Sequence, residues 1–335
     1  MSRRKVRRVI TVMTYLGLMA WSISVVGIVS PRRHITVLCS SIEQVCREWS
    51  AEFTRLTRIE VRLVRMPTGE ALARLSRPGS AADFDVWHGG PADSYEVAKQ
   101  RGLLSPYRSP EAEAVPAEAK DPAGYWSGVY LGVLGFCSNE EVLRRLGLAV
   151  PTSWDDLLHP QLRGLVSVPS ARTSGTGYAV VWSNRVRLGS DARAVDYLRK
   201  LHANVLQYTA SGIAPARVAG RGEAAVAVTF SQHCIQAYDS GSSALKVSYP
   251  RDGTTVEVGS VAIVAGARDE LAARAYVDYA LSRGAQSLGA QLPTRKDLPA
   301  DPRLGSTAVL LASSAEDAAA ARSTLTDLVV TQVYR

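Results

Sequence analysis

Cysteine is scarce: Cys39, Cys46, Cys137 and Cys234 are the four in 335 residues, too few to scaffold a chain of this length with disulfides. No Cys-x-x-Cys pair occurs. A Gly-x-x-x-x-Gly-Lys-Ser/Thr loop and a His-Glu-x-x-His helix are also missing, which removes support for nucleotide hydrolysis and for a zincin. Without a Gly-x-Ser-x-Gly elbow, nothing marks a serine nucleophile with its base and orienting group. There is no internal repeat and no long low-complexity tract, so a solenoid is out.

Acidic residues are absent from one region. Residues 1–34 contain seven basic side chains and no Asp or Glu. They account for seven of the eight units of net positive charge, and the body of the chain is nearly neutral, without the basic surface that nucleic acid requires. Arg3, Arg4, Lys5, Arg7 and Arg8 precede an uncharged apolar run from Val9 to Ser30, closed by Pro31-Arg32-Arg33. As a helix the run would reach about 33 Å, enough to cross a bilayer. It predicts an N-terminal apolar helix acting either as a signal peptide or as a membrane anchor, with residues 34–335 exported. In an oxidising compartment Cys39 and Cys46 can pair, while buried free thiols are equally open.

What is present is a balanced globular composition, with 46% apolar and 21% charged residues, in a length suited to two domains. After His34, short apolar runs alternate with amphipathic stretches. Ile35–Cys39, Ile59–Val64 and Phe84–Trp87 read as strands, Ile42–Thr57 and Glu70–Leu75 as helices, and Gly89-Gly90-Pro91 as a turn into a helix near Ser94. This spacing predicts a parallel α/β sheet. Strands at Val129–Cys137, Leu165–Pro169 and Ala224–Phe230 continue into a second lobe over residues 134–259, and Glu257–Val264 leads back. Residues 34–133 with 260–335 form the first lobe. Two crossing strands would make a hinge with a cleft, where ligands favour strand C-termini and helix N-termini.

Four turns combine hydroxyls with glycine: Ser40-Ser41, Gly89-Gly90, Ser174-Gly175-Thr176-Gly177 and Thr209-Ala210-Ser211-Gly212. Helix N-termini carry unpaired N–H groups and partial positive charge, so such turns can hold an oxyanion without any arginine. Ser and Thr are also ordinary helix caps. His88 and His233 sit beside strand ends, and Glu257 opens a strand that crosses between lobes.

The runs Asp85-Val86-Trp87-His88-Gly89-Gly90-Pro91-Ala92-Asp93, Gly128–Phe136, Pro151–Leu157, Ser174–Tyr178, Gly222–Val226, Val258–Ile263 and Leu292-Pro293-Thr294 resemble, in order, the type II periplasmic binding proteins of ABC importers, in the ferric-ion and phosphosugar branch. The resemblance covers about His34 to Pro299. It implies a two-lobed α/β fold, a permease partner and no catalysis or cofactor. Iron-binding members resemble one another in adjacent tyrosines, and this chain has no Tyr-Tyr. Members that bind phosphorylated sugars or phosphonates grip the anion with Ser, Thr and Gly turns and the sugar with a His-Asp pair and a Glu. Ser40, Ser41, Ser174, Gly175 and Thr176 fall on the anion positions, His233 and Glu257 on the others, and Cys234 stands where the Asp is expected.

The expectation is a solute-binding protein with no resident metal. It would capture a small sugar phosphate, phosphonate or similar anion through Ser40, Ser41, His88, Gly89, Ser174, Gly175, Thr176, Ser211, His233 and Glu257. Alternatives are a ferric-ion-binding protein of an iron importer and a membrane-anchored solute sensor. If the N-terminal helix is uncleaved, it tethers the protein to the membrane beside its permease.

Overall fold

The computed structural model describes residues 33–288, 291–299, 303–304 and 307–334. The apolar run at 9–30 lies outside them. Among the described residues no helix is long and apolar enough to cross a membrane.

The chain begins with β1 (His34–Cys39), α1 (Glu43–Thr57), β2 (Glu60–Arg65), α2 (Thr68–Leu75), β3 (Val86–Pro91) and α3 (Ala92–Gln100). It continues through β4 (Leu104–Ser105), β5 (Ser127–Asn139), α4 (Glu140–Arg145), β6 (Val166–Pro169), α5 (Gly175–Leu188), α6 (Asp191–His202) and β7 (Val205–Thr209). Next come α7 (Ala214–Gly220), β8 (Val226–Phe230), α8 (Ser231–Asp239), β9 (Leu245–Ser248) and β10 (Val256–Val264). The last elements are α9 (Glu270–Leu281), α10 (Arg283–Gln286), β11 (Leu292–Pro293) and α11 (Ala315–Gln332).

The main strand order is β2-β1-β3-β10-β5-β8-β6-β7. Parallel pairing holds for β1 with β2 and β3, and for β6 with β7 and β8. The sheet is nevertheless mixed, not parallel as the spacing predicts, because β10 runs antiparallel to β3 and β5, and β5 antiparallel to β8. Strands that carry the chain from one half to the other and back run in opposite directions. β5 changes partners within its length: Ser127–Val133 pair with β10, and Leu134–Ser138 with β8.

Each half is covered on both faces, and the side-chain alternation of the strands assigns residues to one face or the other. Val37 and Val86 enter a core with Trp49, Phe53 and Tyr276, whereas their neighbours Leu38 and Trp87 enter another with Leu72 and Tyr95. In β8, Val226, Val228 and Phe230 join Trp154 and Tyr178, while Ala227 faces Cys137 and Cys234. Helix α1 packs through Val45, Cys46, Trp49 and Phe53, the three-to-four spacing of one helical face. The terminal helix α11 touches both halves: its Ala318, Leu325 and Val329 belong to the core of the second, and Ala319, with Ala315 packed beside it, joins that of the first.

Both cysteine pairs are oxidised: Cys39 with Cys46 and Cys137 with Cys234. The first pairing was one of two open readings. The second could not be read from a separation of 97 residues, because β5 and α8 meet only in the folded chain.

Candidate functional site

A narrow polar cavity lies between the halves, with about 390 Å³ of empty space including its mouth. Its wall is built where parallel strands end. β1 delivers Ser40 and Ser41, β2 Arg65, β3 Gly90 and Pro91, the loop after β6 Ser174, and the loop after β7 Gly212 and Ile213. Strand C-termini converge there because each is followed by a turn into a covering helix. Gly69 N–H donates to Thr173 O at 2.9 Å, from one half to the other. A Cβ on Gly175 would come within 2.6 Å of Pro91 Cδ, so only glycine permits this approach.

The hydroxyl inventory favours an anion. Ser40 Oγ accepts from Trp87 Nε1 at 3.0 Å, and Ser174 Oγ accepts from Gly177 N–H at 3.3 Å as the cap of α5. With their lone pairs engaged by protein N–H groups, both hydroxyls have a hydrogen left to give. Thr176 and the first turn of α5 add helix-terminal N–H groups and partial positive charge. Arg65 Nε reaches Ser41 O at 3.4 Å, and no carboxylate pairs with its guanidinium among the described residues. Burial pushes its pKa down, opposed by Glu43, yet a guanidinium keeps its proton in a protein. Arg65 was missed by a reading that emphasised dipoles without arginine. Its position at the C-terminal end of a predicted strand was the available signal.

A second group of polar side chains stands across the cavity. Tyr130 O–H donates to Glu257 Oε1 at 3.1 Å and accepts from Gly90 N–H at 3.0 Å. Glu257 is 7% exposed. Burial raises its pKa to about 8, with the Tyr130 hydrogen bond opposing and Asp93 adding to the rise, so the carboxyl holds its proton at neutral pH. Thr229 gives its hydroxyl hydrogen to Gly212 O at 2.7 Å and contacts His233 Nδ1 at 2.8 Å. Thr229 must therefore accept from Nδ1–H, which leaves Nε2 as an acceptor. Burial lowers the His233 pKa to about 4, with the Gly212 backbone opposing and Arg65 and Arg217 assisting. The ring is neutral at pH 7.

Of the residues expected from sequence, Ser40, Ser41, Ser174, Gly175, Thr176, His233 and Glu257 line this cavity. His88, Gly89 and Ser211 do not. His88 is 1% exposed, bonds Tyr276 O–H through Nδ1 at 2.9 Å and packs against Trp49; burial lowers its pKa to about 3, so it is a neutral core residue. Gly89 is a strand residue of β3 instead of a turn, with φ +82° and no room for a side chain, since a Cβ there would come within 2.8 Å of Ser41. Ser211 uses its carbonyl to accept from Thr209 Oγ1, and the lining falls to Gly212 and Ile213. Thr68, which nothing in the sequence singled out, also lines the cavity, as does Tyr130, whose aromatic cluster with Tyr125 and Trp126 could be read as a stacking surface or as core. Cys234, beside His233, is turned to Cys137 and offers a guest neither a thiol nor a carboxylate.

Among the described residues no group of three or more His, Cys, Asp and Glu side chains is arranged to hold a metal ion. Hydrogen donors on one wall and acceptors or a neutral carboxyl on the other can hold and orient a small polar molecule. Two covered sheet halves joined by crossing strands, with such a cavity between them, form an architecture suited to enclosing a small solute.

Residues 85–317 match the family described as bacterial extracellular solute-binding protein, and the chain belongs to it. An uncharacterized protein of Haemophilus influenzae is 34% identical over 277 residues, covering 81% of this chain and 80% of that one. A putative 2-aminoethylphosphonate-binding periplasmic protein of Salmonella typhimurium is 27% identical over 175 residues; the match spans 52% of this chain and 49% of that protein. Among solved structures, the periplasmic binding protein AfuA of Actinobacillus pleuropneumoniae, with exogenous fructose-6-phosphate bound, superposes with a TM-score of 0.86 at 31% identity. That match covers 90% of this chain and 99% of the other. The ferric binding protein of Campylobacter jejuni shares the fold, with a TM-score of 0.75 at 18% identity over 89% of this chain and 98% of that one.

Proposed function

We propose that this protein captures a small solute bearing a phosphate- or phosphonate-like oxyanion between two hinged lobes and delivers it to an ABC permease, without chemical turnover. The lobes are residues 34–133 with 260–335, and 134–259, with α11 leaning on the second. The observation that carries the reading is the convergence of Ser40, Ser174, the α5 N-terminus and the carboxylate-free Arg65 on one cavity. Contacts from both lobes give the closed form its preference for ligand. The binding of fructose-6-phosphate by AfuA and the aminoethylphosphonate name of the Salmonella relative support an oxyanion head. With Cys234 held in a disulfide, the rest of the solute is read chiefly by His233 and Glu257. An uncleaved N-terminal helix would keep the protein beside its permease.

The test is a thermal-shift screen of residues 34–335 against sugar phosphates, phosphonates, inorganic oxyanions and ferric complexes, since a ligand bound only by the native state raises Tm by mass action. An oxyanion hit is expected, and Ser174→Asp should abolish its shift by charge repulsion. Retention of that shift in Ser174→Asp would sink the placement, and a hit restricted to ferric complexes would replace the solute class.

A further inference from the structure

A second, larger cavity lies along the same inter-half boundary, with about 960 Å³ of empty space including its mouth, and shares Pro91 and Glu257 with the first. The first cavity meets α5 at Gly175 and Thr176; the second meets it farther along, at Tyr178 and Trp182. Its walls are aromatic and acidic, with Trp126, Tyr178 and Trp182 beside Glu118 and Glu316. Lys120, its lining cation, is drawn to Ala112 O, and Asp93 is neutralised by Arg322.

Glu257 stands where the two cavities meet. Its side chain is more than nine-tenths buried, one carboxyl oxygen is held by Tyr130, and the other has no hydrogen-bond partner in the protein. That oxygen is also absent from the sealed, unpartnered polar atoms, so it opens on the cavity space. The boundary is thus electropositive at Arg65 and the α5 N-terminus and becomes acidic and aromatic beyond Glu257.

We propose that the captured solute carries a cationic amine at the end remote from its oxyanion, that Glu257 pairs with that amine, and that the second cavity accepts whatever extends beyond it. The inference rests on the oxyanion reading above. Aromatic and carboxylate walls together suit an ammonium, and opposed charge along one cleft orients a zwitterion in a single direction.

The groups facing Glu257 and the adjoining cavity space are Tyr130 from β5, Tyr95 and the Arg322-paired Asp93 from α3, Arg65 from β2, His233 from α8, and Glu118, Lys120 and Glu316 around the second cavity. His233 is neutral at pH 7 and both tyrosines are held protonated by burial. Glu257 is therefore the group that changes charge when an ammonium arrives, releasing up to about one proton per complex at pH 7.

Titration calorimetry with 3-aminopropylphosphonate, 3-hydroxypropylphosphonate and methylphosphonate tests this. The amine is expected to bind at least about tenfold tighter than the hydroxyl compound, with proton release measured from the heats in two buffers of different ionisation enthalpy. Glu257→Gln should bring the amine-to-hydroxyl affinity ratio to about one; a loss common to both compounds cancels in that ratio. If the variant does not fold, wild-type proton release decides. Equal affinity for the two compounds, amine binding without proton release, or a ratio preserved in Glu257→Gln overturns the inference while methylphosphonate still binds. Failure of all three compounds to bind overturns the oxyanion reading and this inference with it.

Discussion

Among the described residues Arg65 is the one full positive charge on the wall of the first cavity, and no carboxylate there pairs with its guanidinium. A charge-assisted hydrogen bond contributes more than a neutral one, so Arg65→Gln is expected to weaken an oxyanion hit about ten- to a hundredfold. Calorimetry on that hit checks this, and an affinity within threefold of wild type would remove Arg65 from the site. Glu257 has the opposite character, because its carboxyl is costly to ionise in the closed cavity. The folded protein holds that proton up to about pH 8, the unfolded chain only to about pH 4.3. Between those values the native state binds more protons, and Glu257's contribution to stability falls as pH rises, levelling above 8. Glu257→Gln removes this slope. Its Tm relative to wild type should therefore be higher at pH 8.5 than at pH 5; a pH-independent difference would show that the carboxyl is not shifted in this way.

Helix α5 makes the tightest demand on an individual element. Ser174 caps it, Gly189 ends it in the left-handed region with φ +75°, and its first residue packs against Pro91 of the other half. Gly175→Ala puts a methyl group into that contact. The α5 helix itself should tolerate or even gain from the change, since alanine is the better helix former, but closure should suffer. The expected result is at least a tenfold loss of oxyanion affinity with Tm of the ligand-free protein nearly unchanged. Unchanged affinity would mean that the two halves do not need to meet at this point. The disulfides act on the same scale. Cys39–Cys46 closes the segment that bears Ser40 and Ser41, and Cys137–Cys234 ties the helix that bears His233 to β5, so each half has one site-bearing turn fastened to its sheet.

At the scale of the molecule, α11 is one of the elements that contact both halves. Arg322 pairs with Asp93 of α3 and lies 4.4 Å from the ring centre of Tyr178 in α5. The Arg322 and Asp93 side chains are only 11% and 9% exposed, so removing one leaves a buried charge without its partner. Arg322→Ala is expected to cost about 3–5 kcal/mol, read from denaturant unfolding. Arg322→Met combined with Asp93→Asn should recover much of the loss, because a buried pair replaced by neutral groups of similar volume is often well tolerated. A single variant as stable as wild type would show that α11 is not clipped to the first half by this pair.

The sequence by itself determined the local pieces: apolar alternation set the strands, three-to-four spacing set α1, and Ser174 marked the start of α5. Hydroxyl and glycine turns after strands pointed to five residues of the cavity, because helix caps and anion sites draw on the same side chains, and places at strand ends pointed to His233 and Glu257. Tertiary structure decided what depends on distant segments. His88, Gly89 and Ser211 looked like their neighbours in sequence, yet Tyr276 and Trp49 claimed His88, close packing on Ser41 claimed Gly89, and the turn after β7 presented Gly212 in place of Ser211. The Cys137–Cys234 bridge, the antiparallel crossing strands and the placement of α11 were likewise invisible, because pairing between residues far apart in the chain is fixed by packing and not by local propensity. Burial, which only the folded chain creates, is also what turns Glu257 from an ordinary carboxylate into a neutral group at the junction of two cavities.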